Sequence, residues 1–216
     1  MRSESPINRG QIVDAALAIV DEEGSHALSM RTVAKRVDRH VSSLYNHVTN
    51  RSELIELLSA HVVRDIDTSM FASEPWNEAL KLWSRSYVSV HVKHPNLIRV
   101  LAVSPVRDLP SLQMYELILR ALVSQGWPLR EAIYVLRSVE AHAWGAVFDI
   151  VASSDFTLRS TLPDELSLVR AALDPDEAAL NGGAAAFEVG LDALIVGFQE
   201  RHVMVSKPQT GMQLPS

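Results

Sequence analysis

Apolar residues in this chain recur at intervals of three and four rather than two, a pattern that predicts helices and almost no strand. Ile12, Ala15, Ala16, Ile19 and Val20 form the first stripe. It closes at Glu22-Glu23-Gly24, where Gly24 suits a C-cap because glycine adopts positive φ without strain. Ser29 is a good N-cap for a short second helix whose inner face is Met30, Val33, Ala34 and Val37. A break at Asp38-Arg39-His40 precedes a third helix over about 41–48. Asn50, with Glu53 three residues on, resembles a capping box. It opens a fourth helix carrying Leu54, Ile55, Leu57, Leu58 and Val62 to about Ile66. Residues 69–75 are expected to be a linker.

Beyond it, the spacing predicts a helix over 76–94 with Leu80, Trp83, Tyr87 and either Val90 or His91 inside, ended or redirected by Pro95. A short apolar piece, 96–103, stops before Pro105, and a helix over 112–124 stops at Gly126. A long, mostly apolar helix follows over 129–152. Residues 153–163 and 174–183 are expected as loops around a helix at 164–173, and a last helix over about 184–201 leads into a tail, 207–216, expected to fray. The fold class is all-α, three or four short helices and then five or six longer ones. The expected domains are 1–66 and 67–206.

Composition narrows the chemistry. With 216 residues, 47% hydrophobic and 21% charged, the chain is expected to fold. At this size it buries about 70% of its unfolded surface without metal or disulfide staples. The absence of cysteine excludes disulfides, cysteine zinc sites, iron–sulfur clusters and a thiol nucleophile. No apolar run approaches the roughly 18 residues of a membrane helix, since Glu188 and Asp192 interrupt the most apolar stretch. The polar start MRSESPINRG does not look like a signal peptide, so a soluble cytoplasmic protein with no membrane partner is expected.

Catalytic patterns are missing: there is no G-x-S-x-G, no glycine-rich phosphate loop and no H-E-x-x-H. His91 and His94 are three apart, but no carboxylate lies at bundle spacing to complete a metal site. Glu23-Gly24-Ser25-His26 is Glu-x-x-His in form only, because Gly24 breaks the helix that would present it. No enzyme activity, catalytic residue, metal or cofactor is expected.

Charge is uneven. The net charge is −6, yet residues 29–51 hold Arg31, Lys35, Arg36, Arg39 and Arg51 against Asp38 alone, a net of +4 that leaves −10 to the remainder. Such an island is either a solvated face or a surface for an anion. Two short helices joined by a tight turn, the second with an apolar back and a small polar front, form the helix-turn-helix pattern whose second helix enters the major groove. Here Leu44 and Val48 are the back, and Ser42, Ser43, Tyr45, Asn46 and His47 the front. Asp38 tolerates the left-handed conformation a turn needs.

The run 28–58, LSMRTVAKRVDRHVSSLYNHVTNRSELIELL, resembles the DNA-binding domain of the tetracycline-repressor (TetR) family. Its marks are a preceding helix ending in glycine, Ser-x-Arg at 29–31, Leu-Tyr-x-His-Val at 44–48, and Asn50-Arg51 before Glu53-Leu54. His94-Pro95, Gly126-Trp127-Pro128-Leu129 and the stretch 187–192 are similar to the C-terminal domain of the tetracycline repressors. The resemblance implies DNA contacts from Arg31, Val41, Ser42, Ser43, Tyr45, His47 and Arg51. Arg31 and Arg51 suit phosphates and groove edges, and Tyr45 and His47 suit phosphate hydrogen bonds. Val41 either touches a thymine methyl or packs on the first helix. Two departures stand out: Asp38-Arg39 replaces the family's glycine and apolar residue, and His40 the usual small cap. Arg39 is expected to swing outward and add, with His40, to the DNA face, so the operator sequence does not carry over.

In the last helix Gly183, Ala186, Gly190, Ala193 and Gly197 make a ridge of small residues beside Phe187, Leu191, Leu194 and Phe198. Interior glycine costs about 1 kcal/mol, which calls for a packing reason. That reason is either packing within the chain or, as the family implies, a homodimer with an interface at Phe187, Gly190, Leu191, Leu194, Gly197 and Phe198, together with helix 129–152. The resemblance also implies a pocket for a small effector, with His61, Trp83, Tyr87, Met114, Tyr134, Arg137, His142 and Phe148 as its candidates and His91, Glu140 and Trp144 among the same polar and aromatic set. The chain has no histidine between His94 and His142, which argues against the family's tetracycline–magnesium effector. The expected function is a ligand-responsive regulator, a repressor in mode, that binds a double-stranded DNA operator with palindromic symmetry. The alternative is a helical small-molecule-binding protein, or an enzyme, with a vestigial helix-turn-helix.

Overall fold

The computed structural model describes residues 7–152, 162–172 and 182–206. The expected tail at 207–216, most of the first expected loop and residues 174–181 of the second lie outside them. Among the described residues there are ten α-helices and no strand: α1 Arg9–Glu23, α2 Met30–Arg36, α3 Val41–Leu44, α4 Arg51–Val63, α5 Trp76–His91, α6 Pro95–Leu101, α7 Leu109–Ser124, α8 Leu129–Ala152, α9 Ser167–Ala172 and α10 Gly183–Val205. None is long and apolar enough to cross a membrane.

Most boundaries follow local chemistry. Asn8 and Gln11 form a capping box at α1, Gly24 ends the helix at φ 85°, and Ser29 caps α2 through Thr32. The helix expected over 76–94 ends at His91, because Pro95 disfavours helical backbone at the residue before it. α7 begins at Leu109 rather than 112, where Asp108 Oδ1 accepts the Ser111 N–H at 2.9 Å. The expected linker 69–75 contains a 3₁₀ turn, Ser69–Ala72, that buries Met70 and Phe71. The last helix runs to Val205, four residues past the expected end, with His202 bonded to the Gln125 carbonyl at 3.0 Å and packed 4.7 Å from Trp127.

The chain forms two compact units, Met1–Asp67 with Ser89–Met114, and Thr68–Val88 with Tyr115–Ser216. In the first, α1 packs against α2, α4 and α6 around Ile12, Ala16, Ile19, Val20, Leu44, Leu54 and Leu58, all buried. His94 Nδ1 lies 2.8 Å from Asp21 Oδ2, and Asn96 donates to the Asp21 carbonyl at 3.3 Å, which fastens the start of α6 to α1. In the second, α8 and α10 pack lengthwise over Val135, Val139, Ala143, Val147, Phe187, Leu191 and Ile195. Surface ion pairs join α10 to its neighbours, Arg85–Glu188 and Lys81–Asp192 at 2.7 Å and Arg201–Glu131 at 2.6 Å, each contributing little beside that apolar seam.

Candidate functional site

The basic island folds as the spacing requires. The α2 helix ends at Arg36, and Asp38 takes φ 52°, the left-handed turn conformation. The expected third helix is one α-helical turn, Val41–Leu44, continued by tighter i→i+3 bonds from Asn46 to Ser43 and His47 to Leu44. Leu44 and Val48 are fully buried, as their place on the back demands. Ser42, Tyr45 and Asn46 are exposed, Tyr45 by 52%, and Val41, Ser43 and His47 are half-buried. Arg31 and His40 are exposed on the same unit. Arg39 is half-buried, and its guanidinium bonds the carbonyl of Asp38 at 2.8 Å.

Arg51 holds two backbone carbonyls, Leu28 at 3.0 Å through Nε and Ser25 at 3.3 Å through Nη2. It therefore braces the entry to α2 from the start of α4, with part of its fork still at the surface.

A second brace has no mark in the spacing. Arg9 donates from Nε to the His47 carbonyl at 2.8 Å and from Nη2 to Glu53 Oε1 at 2.7 Å. Glu53 Oε2 accepts from both the N–H and the hydroxyl of Thr49 at 2.7 Å, while Asn50 Oδ1 caps the Glu53 N–H at 2.9 Å. The capping box thus closes on Thr49 instead of Asn50, and its carboxylate ties α1, the end of the α3 segment and α4 together. The Thr49 N–H above all holds the Glu53 carboxyl below its ordinary range. Glu53→Gln is expected to destabilise the protein by about 1–2 kcal/mol in urea unfolding. The Glu53 contribution is complete above the usual glutamate pKa of about 4.3 and is lost as pH falls through the lowered folded value. The difference between wild type and variant should shrink over that window; a difference independent of pH contradicts the assignment.

The expected pocket residues do not all converge. Trp83 and Tyr87 are buried with ring centroids 5.3 Å apart. Tyr87 donates to Glu140 Oε1 at 3.4 Å, and Tyr115, which the sequence pattern does not single out, donates to the same oxygen. Its signal was available: Tyr115 follows the buried Met114 on α7 and is half-buried. Burial pushes the Glu140 carboxyl up, and burial beside Glu140 pushes the Tyr87 phenol up. His61 and Arg137 are exposed. Tyr134 is exposed beneath Arg130, whose Nε bonds its hydroxyl at 3.1 Å, and Phe148 lies at the surface. His142 is half-buried, stacked on Phe187 at 5.4 Å, with Nε2 donating to the Phe187 carbonyl at 2.9 Å. Among the described residues no three histidine or acidic side chains cluster to hold a metal.

Of the six residues expected at a dimer interface, Phe187 and Leu191 lie in the protomer's own core and Gly190 faces His142. Leu194 and Phe198 are half-buried, Phe198 edge-on to Trp127 at 6.4 Å, and Gly197 has open space around it. The opposite side of α10 carries Val189, Val196 and Val203, exposed by 72, 58 and 57%, with Ala193 between the first two and Ala186 one turn before them. On α8, Gly145, Phe148 and Val151 are likewise exposed.

Residues 72–202 match the family model described as tetracyclin repressor-like, C-terminal domain. The tetracycline repressor protein class D of Escherichia coli is 30% identical over 202 residues, 89% of either chain. Apo ActR from Streptomyces coelicolor has a similar fold, with a TM-score of 0.79 at 24% identity over 94% of this chain and 99% of its own. The same organism's TetR family protein ActR in complex with (S)-DNPA gives 0.75 at 25% identity, over 92% and 100%. The helix-turn-helix geometry stands in the same chain as the matched C-terminal domain, and the chain belongs to the tetracycline-repressor (TetR) family of transcriptional regulators, which are not enzymes.

Proposed function

We propose that this protein is a ligand-responsive repressor that binds a palindromic operator as a homodimer and leaves it when a small-molecule effector binds. One observation carries the DNA assignment: the α3 segment buries Leu44 and Val48 and turns Ser42, Tyr45 and Asn46 outward beside exposed Arg31 and His40. That is the front a major-groove reader needs, with polar groups for base edges and the Arg31 cation for phosphates. Residues 1–66 carry this reading function and residues 67–206 effector binding and dimerisation, in the cytoplasm. Val41, Ser43 and His47 line the flank of the same front, and Arg39 borders it. Arg51 acts first as the brace on Ser25 and Leu28 and second as a phosphate contact.

The dimer face we assign is the exposed apolar side of α10 with the exposed side of α8. Val189, Val196 and Val203 recur at seven-residue intervals on one helix, a spacing that suits a helix–helix seam. An isologous dimer supplies two readers for two half-sites.

Effector coupling follows from connectivity. The helices α5 and α7 each contribute residues to both compact units, and α6 continues α5 and is pinned to α1 through His94 and Asp21. A ligand that favours one arrangement of α5 and α7 therefore biases α6 and, through the His94–Asp21 contact, α1. Lowering operator affinity 100-fold takes about 2.7 kcal/mol of coupling, within the usual range for one effector. A relative of this fold has been solved with a small molecule, (S)-DNPA, bound.

Selection from a random double-stranded DNA pool tests the reading. The expected result is an inverted repeat with half-sites about one helical turn apart, bound by two chains per duplex. Enrichment of no motif, or of an asymmetric one bound by a single chain, contradicts it.

A further inference from the structure

We propose that the effector carries a positively charged amine and that Glu140, framed by Tyr87, Tyr115 and Trp144, binds it. The inference rests on the reading above that this unit takes a small-molecule effector, and it names the ligand's chemical class. Three helices supply the group: Tyr87 from α5, Tyr115 from α7, and Glu140 and Trp144 from α8.

Both phenols donate to one carboxylate oxygen, Oε1, and among the described residues no donor sits on Oε2. The carboxylate is thus held in a fixed orientation with one oxygen left to accept. A half-buried acid of a structural kind is ordinarily met by a lysine or arginine in contact. Here the nearby cation on the same helix, Arg137, is exposed, and among the described residues it makes no ion pair with Glu140. Burial accordingly raises the Glu140 carboxyl, a sign that its negative charge lacks a full counterpart in the free protein.

The surroundings are aromatic. Trp83 is fully buried beside the Tyr87 ring, and the Trp144 indole N–H lies near the Tyr87 hydroxyl without a fully formed hydrogen bond. Aromatic faces attract ammonium groups, and a carboxylate at such a site adds a charge-assisted bond. An anionic ligand meets repulsion from Glu140, and a neutral one either leaves Oε2 unused or bonds it without balancing its charge. A cation satisfies both the free oxygen and the carboxylate's charge.

The test measures affinity by titration calorimetry on the full-length protein. Its probes are matched pairs, arylalkyl primary ammonium ions with one to three rings and their neutral methyl-terminated counterparts of the same shape. At least one cation should bind ten or more times tighter than its neutral partner, and in Glu140→Gln that ratio should fall close to one. Tyr115→Phe, which withdraws one of the two donors orienting the carboxylate, should reduce the ratio without altering affinity for the neutral partner. Circular dichroism of each variant keeps misfolding apart from lost recognition, and the wild-type comparison decides even where a variant fails to fold. Equal binding of both members of every pair overturns the amine assignment and leaves the effector site standing. Binding of neither member at any ring number overturns the assignment and the effector-site reading together.

Discussion

Gly183→Ala and Gly190→Ala are each expected to lower the free energy of unfolding by about 1–3 kcal/mol, whereas Gly145→Ala and Gly197→Ala raise it by about 0.5–1 kcal/mol. All four lie in α8 or α10, so helix propensity alone predicts the same sign for each. The difference is what a new methyl group meets. At Gly183 it would stand 2.7 Å from the Ile150 nitrogen and 2.8 Å from the Asp149 carbonyl carbon, main-chain atoms of α8 that no side-chain rotation moves. At Gly190 it would overlap the ring of His142, which is fixed by its bond to the Phe187 carbonyl and its stack on the Phe187 ring. Within the protomer, Gly145 and Gly197 have nothing within 4 Å. Gly190→Leu goes further: it forces α10 off α8 and uncovers Phe187 and Leu191, with loss of cooperative unfolding expected. Urea melts repeated over a series of protein concentrations separate this protomer term from dimer dissociation. A uniform gain across the four alanine variants would show that α8 and α10 are not in close contact.

The second large effect is on DNA. Tyr45→Ala should weaken operator binding by about 5–150-fold, since each dimer loses the contact twice and each such hydrogen bond is worth on the order of 0.5–1.5 kcal/mol. The same change should leave thermal unfolding within about 0.5 kcal/mol of wild type, because Tyr45 is half exposed and the α3 segment is held by Leu44 and Val48. Arg51→Ala makes the contrast. It removes bonds to Ser25 and Leu28, so it should reduce stability and DNA affinity together. If Tyr45→Ala destabilises the fold as much as Arg51→Ala does, Tyr45 belongs to the packing and not to the DNA face.

How much of this was legible in the sequence depended on how local its cause was. Gly24, Ser29, Asp38 and Asn50 act within a few residues of themselves, and each ends or opens its helix where the spacing placed it. Helix 129–152 was recovered whole because its apolar stripe is unbroken. The extra turn at the end of α10 depends on Trp127, some 75 residues away in the chain, and no local signal marks it. The same holds for Glu53, whose partner Arg9 comes from α1. The ridge of small residues in the last helix had two readings, because periodicity reports that a close approach exists and not which helix makes it. For Gly183 and Gly190 that neighbour is α8 of the same chain. Pocket candidates were harder still. A helix stripe gives each polar residue a face, but Tyr134 and Phe148 turn out at the surface while Tyr115 reaches Glu140. Charge was the more useful guide, since the +4 island falls on α2, the turn and the segment around α3.

The central claim, that this face reads a specific sequence, is tested most directly by one titration. Purified wild-type protein is titrated with the selected inverted repeat and with a scrambled duplex of equal length, each across a salt series. Specific reading predicts affinity for the repeat at least about 10³-fold above that for the scrambled duplex at physiological salt, with both falling as salt rises because phosphate contacts are common to the two. Equal affinity for the two duplexes at every salt concentration, lost in parallel as salt increases, would mean that the island around α3 binds phosphate without reading sequence, and the repressor account would be wrong.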